Sequence, residues 1–303
     1  MGTYYLYHDE SKENGYWHGI LLVPVKAKAI LFDYLEQARK NTSYFGEIGL
    51  KRVKKEASKV YRCAQAWLQI GVAALIQDLK GKPYPLYLGR CVKGKKEYAL
   101  FEQPIKAKFI LFRERDNFRN MTGHKDYGSK VETTFRMGLK GGLHRLGSPQ
   151  NPIRIEALHF DGHEHYQRHL DQDRILGRLY GLRDYCGLNA GFEVIDDRTS
   201  NHTKTQSQAY EDCQLLQLTD VLVGSFRTVL GSPTREIHRD FAHPVKILVD
   251  KYQQGAARMK RSRWKDGFCI SQCYLEDGVW QFEAIGDSSN AVAKQQDLFP
   301  VSC

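Results

Sequence analysis

Several short stretches are runs of aromatic and aliphatic residues of strand length. Residues 3–9 (TYYLYHD) and 17–23 (WHGILLV) read as strands, joined across the polar stretch 11–15 as a hairpin. Residues 107–113 (AKFILFR) and 153–161 (IRIEALHFD) read as strands, and 191–196 (GFEVID) as a short one. Elsewhere the period is helical. Residues 26–40 place Ile30, Leu31, Tyr34, Leu35 and Ala38 on one face. Residues 56–79 form a long helix with Val60, Ala64, Trp67, Leu68 and Leu75, stopped by Gly81 and Pro83. Residues 127–146 are helical despite Gly138, Gly141 and Gly142, and 165–182, 214–230 and 238–254 are helices too.

Four stretches are less regular. Residues 44–53 read best as a third strand, and 84–96 as a ribbon turning at Gly89 and Gly94. Asp277-Gly278 sets a hairpin between 269–273 and 279–284. Residues 198–208 are a polar, mobile loop, and the last fifteen are a tail. Strands open the chain and later alternate with helices, so the fold class is α/β, a mixed sheet flanked by helices.

Carboxylates break this pattern in three places. Asp9 ends the first strand, with Glu10 next to it. Asp161 ends the strand IRIEALHF, and Asp220 interrupts the apolar helix LLQLTDVLVG. An ionised carboxylate there is costly unless it is paired or binds a metal. Gln217, Asp220, Gly224 and Arg227 share one helical face, while Leu215, Leu218 and Leu222 lie on another. Asp220 therefore either faces something polar or pairs with Arg227. Strand ends gather ligand and catalytic groups in α/β sheets. If the two strands are neighbours, Asp9 and Asp161 converge. With Asp220 they would offer hard oxygen ligands to Mg²⁺ or Mn²⁺, suited to phosphodiester cleavage.

Composition points to the substrate. The 303 residues carry 45 Lys and Arg against 35 Asp and Glu, a formal charge of +10. Such a balance suits a polyanion. Basic runs lie at 51–55, 93–96 and 258–265, the last enclosing Trp264 among Lys260, Arg261 and Arg263, which suits phosphate contact with base stacking. Seventeen Tyr, 14 Phe and four Trp can fill a core, which excludes general disorder. No apolar run is long enough to span a membrane, and no secretory signal opens the chain, so a cytoplasmic protein is expected. The seven cysteines read as reduced thiols. His165 and His169 share a helical face but lack an HExxH pattern, and Gly138-Leu139-Lys140-Gly141-Gly142 lacks P-loop spacing. His163, two residues from Asp161, could move a proton or contact phosphate.

Tyr7-His8-Asp9-Glu10-Ser11 resembles the opening "DES" strand of a widespread prokaryotic family, domain of unknown function 3800. The run 216–224 (LQLTDVLVG) resembles its closing helix, and Leu158-His159-Phe160-Asp161 lies where the family has an apolar strand ending in Asp. Lys12 stands for the usual Gly, and Thr219 for the usual Ala. The resemblance covers residues 3–230 and implies a ribonuclease-H-like fold; the adjacent Asp-Glu is also similar to ribonuclease HII. It implies Asp9, Glu10, Asp161 and Asp220 as catalytic residues, with Asp9, Asp161, Asp220 and, less securely, Glu47 as metal ligands. The family occurs in mobile and defence settings, which implies partners in a larger assembly.

The expected organisation is a ribonuclease-H-like domain over 1–232, with an insertion around 84–106. A helix, hairpin and tail over 233–303 pack on the same domain. The expected function is a Mg²⁺- or Mn²⁺-dependent nuclease on DNA or RNA, the substrate held by Lys12, His163, Gln217, Arg227, Lys260, Arg261 and Arg263. The alternative is a non-catalytic nucleic-acid-binding or scaffolding subunit.

Overall fold

The computed structural model describes residues 2–13, 15–115, 127–161, 186–195, 208–231, 233, 235–254, 261–277 and 279–285. Nine strands are described: β1 Gly2–Ser11, β2 Tyr16–Pro24, β3 Tyr84–Val92, β4 Lys95–Phe101, β5 Lys108–Glu114, β6 Ile153–Asp161, β7 Cys186–Ile195, β8 Phe268–Glu276 and β9 Val279–Ala284. The α-helices are α1 Lys28–Thr42, α2 Lys59–Ala74, α3 Tyr127–Leu146, α4 Gln208–Leu230, α5 Glu236–Phe241 and α6 His243–Gln253. Seven strands make one mixed sheet in the order β7-β6-β1-β2-β5-β8-β9, and β3 and β4 form a separate ribbon. β1, β2 and β5 run antiparallel in turn, whereas β6 joins β1, β7 joins β6, and β8 joins β5 in parallel.

Central position explains the apolar runs. β2 is buried on both faces from Tyr16 to Val23, as a strand covered by helices on both sides must be. On one face Tyr7, Trp17, Leu21 and Phe109 pack with α1, α2 and α4. On the other, Leu6, Ile20, Ile110 and Phe160 pack with Phe135, Leu139 and Leu143 of α3. The glycines of α3 have a packing role. A Cβ on Gly138 would lie 2.7 Å from Phe112 Cβ, and one on Gly142 2.4 Å from Ile110 Cδ1. Their absent side chains let the helix settle on β5.

Three elements differ from the sequence expectation. Residues 44–53 form a loop with a 3₁₀ turn at Leu50–Arg52, not a strand. Side chains take the hydrogen bonds a neighbouring strand would have taken. Arg39 Nη1 donates to Gly46 O (2.8 Å), and Ile48 N donates to Gln217 Oε1 (2.9 Å). The expected helix over 238–254 is split into α5 and α6 near Ala242, with Pro244 in the first turn of α6, where its missing N–H costs nothing. α2 ends at Ala74, whose carbonyl accepts from Ala107 N, and Gln77 N then donates to Arg263 O.

The ribbon β3–β4 turns at Lys93 and Gly94, both at positive φ, the two-residue turn that a hairpin's twist favours. Gly89 instead lies within β3, at a register shift, with its Cα against Thr42. The expected helix over 165–182, loop over 198–208 and tail lie outside the described residues. No described helix is long and apolar enough to cross a membrane.

Candidate functional site

The strands that carry two of the acids lie side by side. Tyr7 stands level with His159 and His8 with Phe160 on parallel β1 and β6. This pairing stops there, one residue before Asp9 and Asp161; β6 ends at Asp161, and β1 runs two residues past Asp9 to Ser11. The pleat puts Asp9 on the face of Tyr7, whose ring stacks on His159 at 4.8 Å. The side chain of Asp161 lies outside the described residues.

Helix α4 covers this face. Its N-terminal part is pinned by Asp212, which is buried and accepts from Tyr7 Oη at 2.6 Å. Lys28 Nζ lies 2.6 Å from the same carboxylate oxygen, and His159 Nε2 3.9 Å from it. Burial, reinforced by Asp212, pushes the Tyr7 phenol well above its ordinary pKa. Further along α4, Val223 sits on Gly19, the cross-strand partner of Asp9; a Cβ on Gly19 would lie 2.8 Å from Val223 Cβ. Asp220 is less than one helical turn before Val223.

Asp220 also meets the loop after α1. Its Oδ2 accepts from Leu50 N at 3.3 Å, and a Cβ on Gly49 would come within 2.4 Å of that oxygen. The absent side chain of Gly49 leaves room for the carboxylate where it stands. Asp220 thus has a backbone partner outside its own helix. Arg227 makes a salt bridge with Glu13, beside the β1–β2 turn. Among the described residues, no group of three or more His, Cys, Asp or Glu side chains could hold a metal ion.

Several expected contact residues have other tasks. Gln217 is buried and grips Ile48 N and Arg39, so it does not face a substrate. Arg227 is buried too, and desolvation lowers its pKa. Trp264 is no stacking platform: it is buried and donates to Val72 O at 3.0 Å, under Lys251. Its neighbours Arg261 and Arg263 offer their carbonyls to Lys80, Gln77 and Asp78, with Arg261 exposed and Arg263 half-buried. The pleat sends Glu10 to the face opposite Asp9, where Tyr16 Oη donates to it and Lys12 Nζ lies 3.6 Å away. Glu47 turns to Arg52. Lys12 is exposed. His163 and Lys260 lie outside the described residues.

Sequence reading missed Asp212. An acid embedded in an apolar helix singled out Asp220, and it would have singled out Asp212 had the helix been started at Gln208 rather than Gln214.

Comparison with known proteins adds no relative. No family model matches this chain, and neither a curated protein nor a solved structure does, so the family resemblance rests on the motifs around Asp9, Asp161 and Asp220.

Proposed function

We propose that this chain is a divalent-metal-dependent nuclease built on a ribonuclease-H-like core, acting on DNA or RNA. The observation that supports the reading is the parallel pairing of β1 and β6 up to His8 and Phe160, the residues just before Asp9 and Asp161, with the helix bearing Asp220 packed on β1. The order β7-β6-β1-β2-β5, two parallel strands beside an antiparallel meander, is what a ribonuclease-H-like core would have. Carboxylates from two strand ends and a covering helix are the hard oxygen donors that Mg²⁺ and Mn²⁺ take. Such a metal would activate water and stabilise the leaving oxygen. Asp9, Asp161 and Asp220 would hold it, and the chain's net charge of +10 would draw the polyanion.

The test uses labelled single- and double-stranded DNA and RNA with Mg²⁺, Mn²⁺ or EDTA. Asp9→Asn and Asp220→Asn are each expected to cut the metal-dependent rate about a hundredfold or more, since losing even an outer-shell partner of a metal site costs about 10–100-fold. Asparagine at 220 still accepts the Leu50 N–H, so the fold should persist. Undiminished cleavage by both variants overturns the assignment.

A second reading is a non-catalytic nucleic-acid-binding subunit. One observation favours it: Asp220 and Gln217 already have a structural task, holding the backbone of the 48–50 loop. Calorimetry showing no Mn²⁺ uptake, with salt-sensitive nucleic-acid binding, would select it.

A further inference from the structure

We propose that a basic track runs from Arg52, in the 3₁₀ turn whose first residue Leu50 meets Asp220, over the first turns of α2 to the tip of the β3–β4 ribbon, and holds the phosphodiester backbone of nucleic acid. The proposal rests on the nucleic-acid reading above and names the surface that serves it.

The track begins at the site. Asp220 grips Leu50 N, and the 3₁₀ turn Leu50–Arg52 starts there and packs against α2. The Arg52 side chain is 57 % exposed, with Glu47 as its partner. Val53 is buried, and its carbonyl is held by His238 at 2.9 Å, which leaves the flanking lysines outside. Lys55 is exposed ahead of the cap residue Ser58, and Lys59 is exposed in the first turn.

Those lysines do not serve the helix. The N-terminus of a helix is its positive end and favours acidic residues, yet the first turn of α2 has none. Cations here work against the helix and for an anion, so helix stability does not explain them. Glu56 is the one carboxylate between them in sequence.

The ribbon continues the charge. Arg62 is half-buried one turn beyond Lys59. After it, Lys96 Nζ donates to Gln65 Oε1 at 2.9 Å and lies 5.1 Å from the centre of the Tyr87 ring. Lys96 is thus seated on α2, and Lys93 is exposed at the turn. Two positions along β4 from Lys96, Tyr98 is 53 % exposed, an aromatic residue beside cations. That pairing suits backbone contact with base stacking. Glu97, the ribbon's acid, is paired with Arg90.

The test measures affinity for labelled single-stranded and duplex DNA and RNA in EDTA, from about 50 to about 200 mM salt. The triple variant Lys55→Gln/Lys59→Gln/Lys93→Gln is compared with Lys26→Gln/Lys106→Gln/Lys246→Gln, which removes equal charge from exposed positions elsewhere. Melting curves matching the wild type confirm that both are folded. The track variant is expected to lose about tenfold or more in affinity at low salt. Its slope of log K against log salt should fall by about 2–3, as three lost phosphate contacts require. The scattered variant should lose much less. Equal losses in the two variants, wild-type binding by the track variant, or no binding by the wild-type chain each overturn the track. Cleavage is scored separately. A wild-type chain that cleaves while the track variant binds normally refutes the track alone. A track variant that loses binding, in a chain that never cleaves, keeps the track and refutes the nuclease.

Discussion

His8 and His18 lie on the sheet face away from Asp9, sealed under α3. His8 Nε2 is 2.8 Å from His18 Nδ1, and His18 Nε2 is 2.7 Å from Thr134 Oγ1. Burial pulls the His8 pKa down to about 3; burial first, and then His8, lowers that of His18 well below its ordinary value. Both rings are neutral in the folded protein, whereas the unfolded chain protonates them near pH 6.5. Stability is therefore whole above about 6.5 and falls as pH drops toward about 3, by up to about 1.4 kcal/mol per pH unit for each ring. Urea unfolding at about pH 7 and about pH 4.5 should show the lower stability in acid, and imidazole NMR signals of two histidines should stay neutral until unfolding. An early titration of all the histidines refutes this. Neither ring's environment was legible in the chain. Asp220 was, because an acid inside an apolar helix is conspicuous, but its partner was not. Helical spacing offered Arg227, while the backbone N–H of Leu50, 170 positions away, lies outside any helical window.

Among the elements, α3 shows how a poor helix sequence is rescued by what it packs on. Its three glycines have different surroundings. Gly142 faces Ile110 at a distance that no Cβ tolerates, while Gly141 has nothing within 4 Å of a built Cβ. Gly142→Ala is expected to destabilise by about 1–3 kcal/mol, as overpacking does. Gly141→Ala should stabilise by up to about 1 kcal/mol through helix propensity alone. Urea midpoints of the two variants decide it; equal shifts of the same sign refute the packing account. Strands and most helices were legible here because their period is local. The loop over 44–53 was not, because its hydrogen-bond partners Arg39, Gln217 and Asp220 come from two helices.

Across the whole molecule, the C-terminal hairpin completes the sheet. β8 pairs in parallel with β5, and Phe268 packs against Phe226 of α4 and Tyr252 of α6. A chain cut after Gly231 would bare the β5 edge and take Phe268 away from Phe226. It is expected to be largely insoluble and to lack a cooperative melt, because an open apolar edge seeks another strand. A soluble, cooperatively melting 1–231 fragment would show that the core stands without the hairpin.

Local chemistry was enough to mark out the strands that end in Asp9 and Asp161, the helix around Asp220 and the excess of cations. Those features depend on apolar runs, helical spacing and charge, all properties of neighbouring residues. Neighbourhood across the sheet is another matter. That β6 lies beside β1, that Asp212 rather than Asp220 pins α4 to Tyr7 and Lys28, and that Gln217, Arg227 and Trp264 are buried all follow from contacts between distant segments. Such contacts are chosen by how helices and strands fill one common core, and no window of sequence contains them.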